Sequence, residues 1–376
     1  MHAIITQSLS ALCFNYVTME EMKPVRTAAD PARPKKKKKK KGRGKLRVKA
    51  SIRRNFRQTL IMILTVLFTG GIFAYIALLI VLKGPSPTFS NMVVSTMWET
   101  RRGKAIVSAL FTDEEIEAIL SKNSVENSST MANVTDDDYS EFHVSEDKKD
   151  KVDIIDISGG TFKGKMMIIY DPSRIHLGVN SLMPGGATGY SVQDYISELG
   201  GIGGINGGGF DDPNGKGDGS IPQGIVIHDS QIVFGSPEDY ECLIGFNNAD
   251  HLIVGYMTGQ DAIDWGMRDA VTFLPVLVYD GHAVPITGNG GGLNPRTIIG
   301  QRADGAVLLL VIDGRQTSSL GASFEDCINI MLEHNAVVAA NLDGGSSSVM
   351  YYNGEIINNV VSMNGERLVP TAWVVK

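Results

Sequence analysis

Residues 59–82, TLIMILTVLFTGGIFAYIALLIVL, run for 24 positions without a charge. An unbroken apolar run of this length predicts a helix long enough to cross a bilayer with some tilt. It is too long for a signal-peptide core and lacks an A-x-A cleavage site. Gly84–Pro87 (GPSP) should stop that helix. Residues 83–150 then read as an extracytoplasmic stalk. Thr112 followed by Glu115 forms a capping box that starts a short helix, and the polar, acidic stretch after it has too few large apolar residues to offset the entropy of ordering.

From about Lys151 the pattern changes to short apolar runs separated by Gly and Pro, the signature of strands. Asp229-Ser230, Asp280-Gly281 and Asn353-Gly354 read as hairpin turns. Residues 191–200 predict a helix with a Ser191 cap and a terminal Gly200. In residues 323–335, Phe324, Cys327, Ile328, Met331 and Leu332 recur at helical spacing behind a Ser323 cap. The reading is α+β: a single mixed-sheet domain with few helices over residues 151–376, large enough for its own core. Ahead of it come a basic tail (1–58), a membrane helix (59–82) and a partly disordered stalk (83–150).

Charge sharpens this division. Residues 1–58 hold 17 Lys/Arg and 3 Asp/Glu, which leaves 18 and 38 for the rest of the chain. Basic residues beside a span stay cytoplasmic, so the tail predicts an internal N-terminus, contact with anionic headgroups, and a body outside the membrane. An adjacent span accounts for the lysine run without a nucleic-acid partner. Cys13, Cys242 and Cys327 are far apart with no CxxC pair, so neither a zinc knuckle nor a disulfide scaffold fits.

Four apolar runs end abruptly in polar residues and glycine: INGGGFDD at Asn206, NPRTIIG at Arg296, VIDGR at Asp313 and Arg315, and NLDGG at Asn341 and Asp343. A carboxylate at the end of a buried strand needs a partner. Arg296 and Arg315 can supply forked donors, and the glycines let backbone approach a ligand or another chain segment. Polar groups gathered at several strand ends make a pocket on a rigid frame. The expectation is that Asp343 faces Arg296, Asp313 and Arg315. Other chemistries fit badly. NGKGDGS lacks the phosphate-loop pattern; Lys216 and Gln223 occupy positions where a calcium loop needs acids; no G-x-S-x-G elbow occurs; and the histidines show no paired metal spacing.

INGGGFDD, PQGIVIHDSQIV, NPRTIIGQRADG through NLDGGSSSVM, and NGERLVPTAWVV together resemble the phosphodiester glycosidase family, which includes the uncovering-type N-acetylglucosamine-1-phosphodiester α-N-acetylglucosaminidase and bacterial members of exopolysaccharide-biosynthesis type. The resemblance spans about 154–375. It implies hydrolysis at the anomeric carbon of a sugar-1-phosphate diester, freeing the sugar and leaving a phosphomonoester. It points to Asp313 and Asp343 as catalytic. It assigns Asn206, Gly207, Gly208, Arg296, Thr297, Arg315, Asn341, Gly344, Gly345, Ser346 and Arg367 to substrate or phosphate binding. The implied partner is a phosphorylated glycan or cell-surface glycopolymer. No cofactor is required by the pattern, and a divalent cation such as calcium is compatible with it. Two other functions remain open at this level: a glycopolymer-binding ectodomain without turnover, and a metal-dependent phosphodiesterase that breaks the P–O bond.

Overall fold

The computed structural model describes residues 43–126, 142–180, 188–212, 217–361 and 365–376, with the backbone alone for 43–52. The lysine run, Cys13, Lys216, Asn364 and most of the acidic stretch at 127–141 lie outside the described residues. The chain divides into two compact units, Met1–Gly71 and Ile72–Lys376.

Helix α1 (Arg43–Lys83) contains a segment, Arg53–Lys83, long and apolar enough to cross a membrane. Leu60, Leu64, Phe68, Phe73 and Ile80 are all exposed along it, so these apolar side chains have no protein core to enter.

Beyond Lys83 the structure departs from the expected stalk. Three helices follow: α2 (Pro87–Trp98), α3 (Arg101–Leu110) and α4 (Asp113–Leu120). Pro87 sits in the first turn of α2, where its missing N–H costs nothing. The Thr112–Glu115 capping box is present at α4. Leu82, Val94, Val107 and Ile116 form a small core of their own, with Met97, Trp98 and Leu110 packed around it. These side chains are spread over four helices, so no short window of sequence displays them as one cluster.

Among the described residues, three larger antiparallel sheets and one two-stranded ribbon, Phe210–Asp211 with Ile221–Pro222, follow. The seven-stranded sheet runs, edge to edge, Val152–Ser158, Lys163–Ile169, Val307–Ile312, Arg296–Arg302, Ala336–Leu342, Val276–Tyr279 and His282–Ala283. The second has Leu252–Thr258, Tyr240–Asn247, Met267–Thr272, Val226–His228 and Gln231–Phe234; the third has Glu355–Ile356, Met350–Tyr352, Gly203–Asn206, Thr371–Val375 and Ile175–Val179. Every pairing is antiparallel. The α+β class therefore holds: local hairpins such as Val152–Ser158 with Lys163–Ile169 are joined by long connections that bring distant strands side by side. Asp229-Ser230, Asp280-Gly281 and Asn353-Gly354 all take positive φ, as their hairpin turns require.

The central strands are buried on both faces, which accounts for their continuous apolar character. Ile299, Leu309, Val338 and Ala340 face the main core with Ile205, Phe246 and Trp373. Ile298, Leu308, Leu310 and Ala339 face Cys327, Ile328 and Met331. Those last three lie on the helix Phe324–Glu333, whose capping box is Ser323 with Asp326. Cys242 and Cys327 are free and buried.

Register decides where the strands end. Arg296 pairs with Ile312, and Thr297 with Leu342. The start of one strand and the ends of its two neighbours therefore meet at one edge of the sheet, with Asp313 and Asp343 one residue beyond. Leu309→Ala, at a position buried on the main-core face, should cost about 3 kcal/mol. Leu320→Ala, at a half-exposed position, should stay within about 0.5 kcal/mol. Paired denaturant melts check both, and equal losses would contradict the assignment of the core.

Candidate active site

Asn206 is fully buried at the end of its strand. Its Nδ2 donates to the Asp343 carbonyl at 2.6 Å, and its Oδ1 accepts from Thr297 Oγ1 at 3.0 Å and from the Val349 N–H at 3.2 Å. One amide thus joins the third sheet, the central sheet and the loop after Ala336–Leu342. The Asp343 N–H donates to the Gly207 carbonyl, and the Gly345 N–H to the Pro295 carbonyl. A Cβ on Gly207 would stand 2.4 Å from Thr371 Oγ1, and one on Gly208 would stand 2.8 Å from the Val271 Cβ. These two glycines let chain segments approach one another.

Asp343 sits inside this frame. Burial raises its carboxyl to about 6, opposed by the Ser347 hydroxyl, the Arg367 charge, the Gly344 N–H and the Arg315 charge. Arg315, itself at positive φ, donates Nε and Nη2 to Asn294 Oδ1 at 3.3 and 2.9 Å. Its guanidinium lies against Gly345, where a Cβ would meet Nη1 at 3.1 Å. Burial pushes Arg315 below its ordinary value, with opposing pulls from Glu99 and Asp343. Among the described residues, no carboxylate lies within ion-pair distance of it. Arg367 pairs with Asp212 at 2.9 Å, stacks over Phe210 at 4.6 Å, and reaches Ser346 Oγ at 3.4 Å.

Two expected residues have other surroundings. Arg296 lies on the opposite face of the sheet from Thr297. It is 4% exposed, stacks on Phe324 at 3.9 Å, donates to the carbonyls of Gly292 and Ala322, and grips the Glu99 carboxylate with both terminal nitrogens at 3.0 and 3.2 Å. Asp313 accepts from the Asn359 N–H at 2.8 Å, Asn359 Nδ2 at 3.0 Å and Asn358 Nδ2 at 3.3 Å. It holds the wall of a cleft of about 590 Å³ lined by Arg315, Gln316, Ile356, Asn358 and Asn359. Asn341 donates to the Leu274 carbonyl at 2.7 Å, and its Oδ1 has no partner. Asn294 Nδ2 and Ser348 Oγ are also buried without one.

Sequence reasoning did not single out Glu99, Asp212, Phe210, Asn294 or Ser347. Asp212 and Phe210 were within reach, since both lie in the quoted INGGGFDD stretch. Glu99 was not, standing 197 residues from its partner in a segment read as spacer. Among the described residues, a grouping with metal-like spacing is His228, Asp229 and Asp269, on the second sheet. Asp269 already accepts from His228 Nδ1 at 2.9 Å and Arg268 Nε at 3.0 Å, so its charge is committed.

Residues 200–376 match the model of the phosphodiester glycosidase family. The domain belongs to that family. A prophage-derived Bacillus subtilis strain 168 protein, YomE, is 39% identical over 67 residues, covering 18% of this chain and 10% of that protein. The match thus spans about a tenth of that relative's length. The catalytic domain of zebrafish N-acetylglucosamine-1-phosphodiester α-N-acetylglucosaminidase, in a form auto-inhibited by its pro-peptide, superposes with a TM-score of 0.50 at 20% identity, covering 60% of this chain and 82% of that one. An exported-type protein from Burkholderia pseudomallei K96243 gives 0.43 at 17% identity, covering 57% and 74%. Phosphodiester glycosidases are hydrolases, and the family match includes Asn206, Arg296, Asp313, Arg315, Asp343 and Arg367.

The raised Asp343 carboxyl fixes a sign. Between about 4 and about 6 the folded state holds this proton while the unfolded chain has lost it. Stability therefore falls as pH rises through that window and stays lower above it. Asp343→Asn should raise the melting temperature at about pH 7 and leave it unchanged near pH 4. A lowered melting temperature at neutral pH would show Asp343 to be a stabilising partner of Arg315.

Proposed function

We propose that this chain is a membrane-anchored hydrolase that cleaves a sugar-1-phosphate diester at the anomeric carbon, with the reaction outside the cytoplasm and a phosphorylated cell-surface glycan as substrate. One observation carries the reading: a half-buried carboxylate, Asp343, lies within electrostatic reach of a guanidinium, Arg315, that among the described residues has no carboxylate at ion-pair distance.

The division of labour follows from charge. Arg315 receives the non-bridging phosphoryl oxygens. Arg367 and Ser346 stand beside Asp343 and border the same space. As the bond between the anomeric carbon and the bridging oxygen breaks, the electron pair leaves with the phosphate and positive charge develops on the sugar. The Asp343 carboxylate stabilises that charge or takes the proton of the attacking water. A phosphate leaves readily as an anion, so the ionised form of Asp343 is the useful one. Asp313 serves in this reading as a positioning residue for the Asn358–Asn359 wall, and Asn206 fixes the Asp343 backbone.

Activity toward a glycosyl-1-phosphate diester should therefore rise with pH through about 6, following the Asp343 carboxyl. Asp343→Asn should lower turnover by about two orders of magnitude, with free reducing sugar as the product of the wild-type chain. Release of sugar phosphate would identify a phosphodiesterase, and full activity of the Asn variant would remove Asp343 from the mechanism. The anchor reading has a separate check. Protease added to intact cells or protoplasts should digest the domain and spare the basic tail; a protected domain would reverse the orientation.

A further inference from the structure

The three helices after the membrane segment are bound to the domain at the edge of the pocket. The Leu293 N–H donates to Thr96 Oγ1 at 2.8 Å, and Gly292 packs so closely that a Cβ would stand 2.3 Å from the Thr96 nitrogen. Ser124 and Thr287 exchange hydrogen bonds, the Glu126 N–H donates to the Pro285 carbonyl, and Val125 bridges Ile286. These contacts deliver Glu99 to Arg296, whose guanidinium would otherwise be a buried, unbalanced charge.

A count of charge then becomes possible. Among the described residues, three arginines act on one another's surroundings here: Arg315 and Arg367 on Asp343, and Arg296 on Arg315. Arg296 is matched by Glu99, and Arg367 by Asp212. Of the three, Arg315 has no carboxylate at ion-pair distance among the described residues and hydrogen-bonds the neutral Asn294. The ionised Asp343 carboxylate offsets Arg315 in turn, so the site is close to neutral and admits one negative charge more readily than two. A phosphodiester carries one; the phosphomonoester left after hydrolysis carries nearly two at neutral pH. We propose that Glu99, supplied by the membrane-proximal helices, and Asp212 act as positioning residues that hold the site's charge at a value selecting the monoanionic diester and releasing the dianionic monoester. This rests on the hydrolase reading above and deepens it. Glu99 does its part through Arg296 and the field at Arg315, on which its charge acts.

The Coulomb energy of a ligand in a changed field scales with ligand charge. Removing one nearby carboxylate therefore strengthens a dianion by about the square of the factor for a monoanion. The test uses the full chain in detergent at about pH 8, with dimethyl phosphate as monoanion and methyl phosphate as dianion, and their binding followed by ligand-observed NMR. Glu99→Gln should tighten dimethyl phosphate about threefold and methyl phosphate about tenfold. Asp212→Asn, at a partly exposed pair that tolerates the loss of its charge, should shift selectivity in the same direction, so the proposal remains testable if the Glu99 variant folds poorly. Equal changes for both ligands would overturn the proposal and mark Glu99 as a steric plug, as would unchanged binding of either ligand in both variants. These are binding measurements. A chain with this selectivity that releases no free sugar would leave the charge assignment standing and overturn the hydrolase reading instead.

Discussion

The side chain of Asn206 ties the ends of two sheets together. Its amide holds the Asp343 carbonyl, the Thr297 hydroxyl and the Val349 N–H in a fully buried position. A buried amide with unmet donors or acceptors is expensive, so these three groups fix one another's positions. Register does the rest: because Arg296 pairs with Ile312 and Thr297 with Leu342, the Asp313 and Asp343 corners open at the same edge. A slip of one residue in either pairing would turn every side chain of that strand to the opposite face. The apolar alternation on both sides of the sheet therefore holds the chemistry in place.

Much of this was legible along the chain. Strand runs, hairpin turns and the Ser191, Ser323 and Thr112 caps are local signals, each set by a few neighbouring residues, and they appear where periodicity and turn chemistry place them. The position of Asp343 at the end of a core strand was legible too, since Ala336–Leu342 reads as a largely apolar run that stops at an acid and two glycines. The roles of Arg296 and Asp313 were not. Both stand at strand ends with the right composition, but Arg296 is directed by strand alternation toward Phe324 and away from Thr297's side of the sheet. Asp313 is occupied by Asn358 and Asn359, some 45 residues on. Such pairings depend on face and on tertiary neighbours, and composition carries neither.

The three helices after Lys83 show the same limit at larger scale. Val94, Val107 and Ile116 are unremarkable singly, and each lies on a different short helix. Only when the helices pack do they form a core, and only then does Glu99 meet Arg296. A segment that would have been a spacer becomes part of the domain's electrostatics. In this arrangement Arg296 is matched by Glu99 and Arg367 by Asp212, while Arg315 bonds Asn294 and the half-buried Asp343 feels both Arg315 and Arg367.

The account's central claim is that the bond broken is the one to carbon. Turnover of a glycosyl-1-phosphate diester in water enriched with heavy oxygen, followed by mass spectrometry of both products, reads that directly. The account predicts the label in the anomeric hydroxyl of the freed sugar and none in the phosphomonoester. Label in the phosphate would place the attack on phosphorus and contradict it.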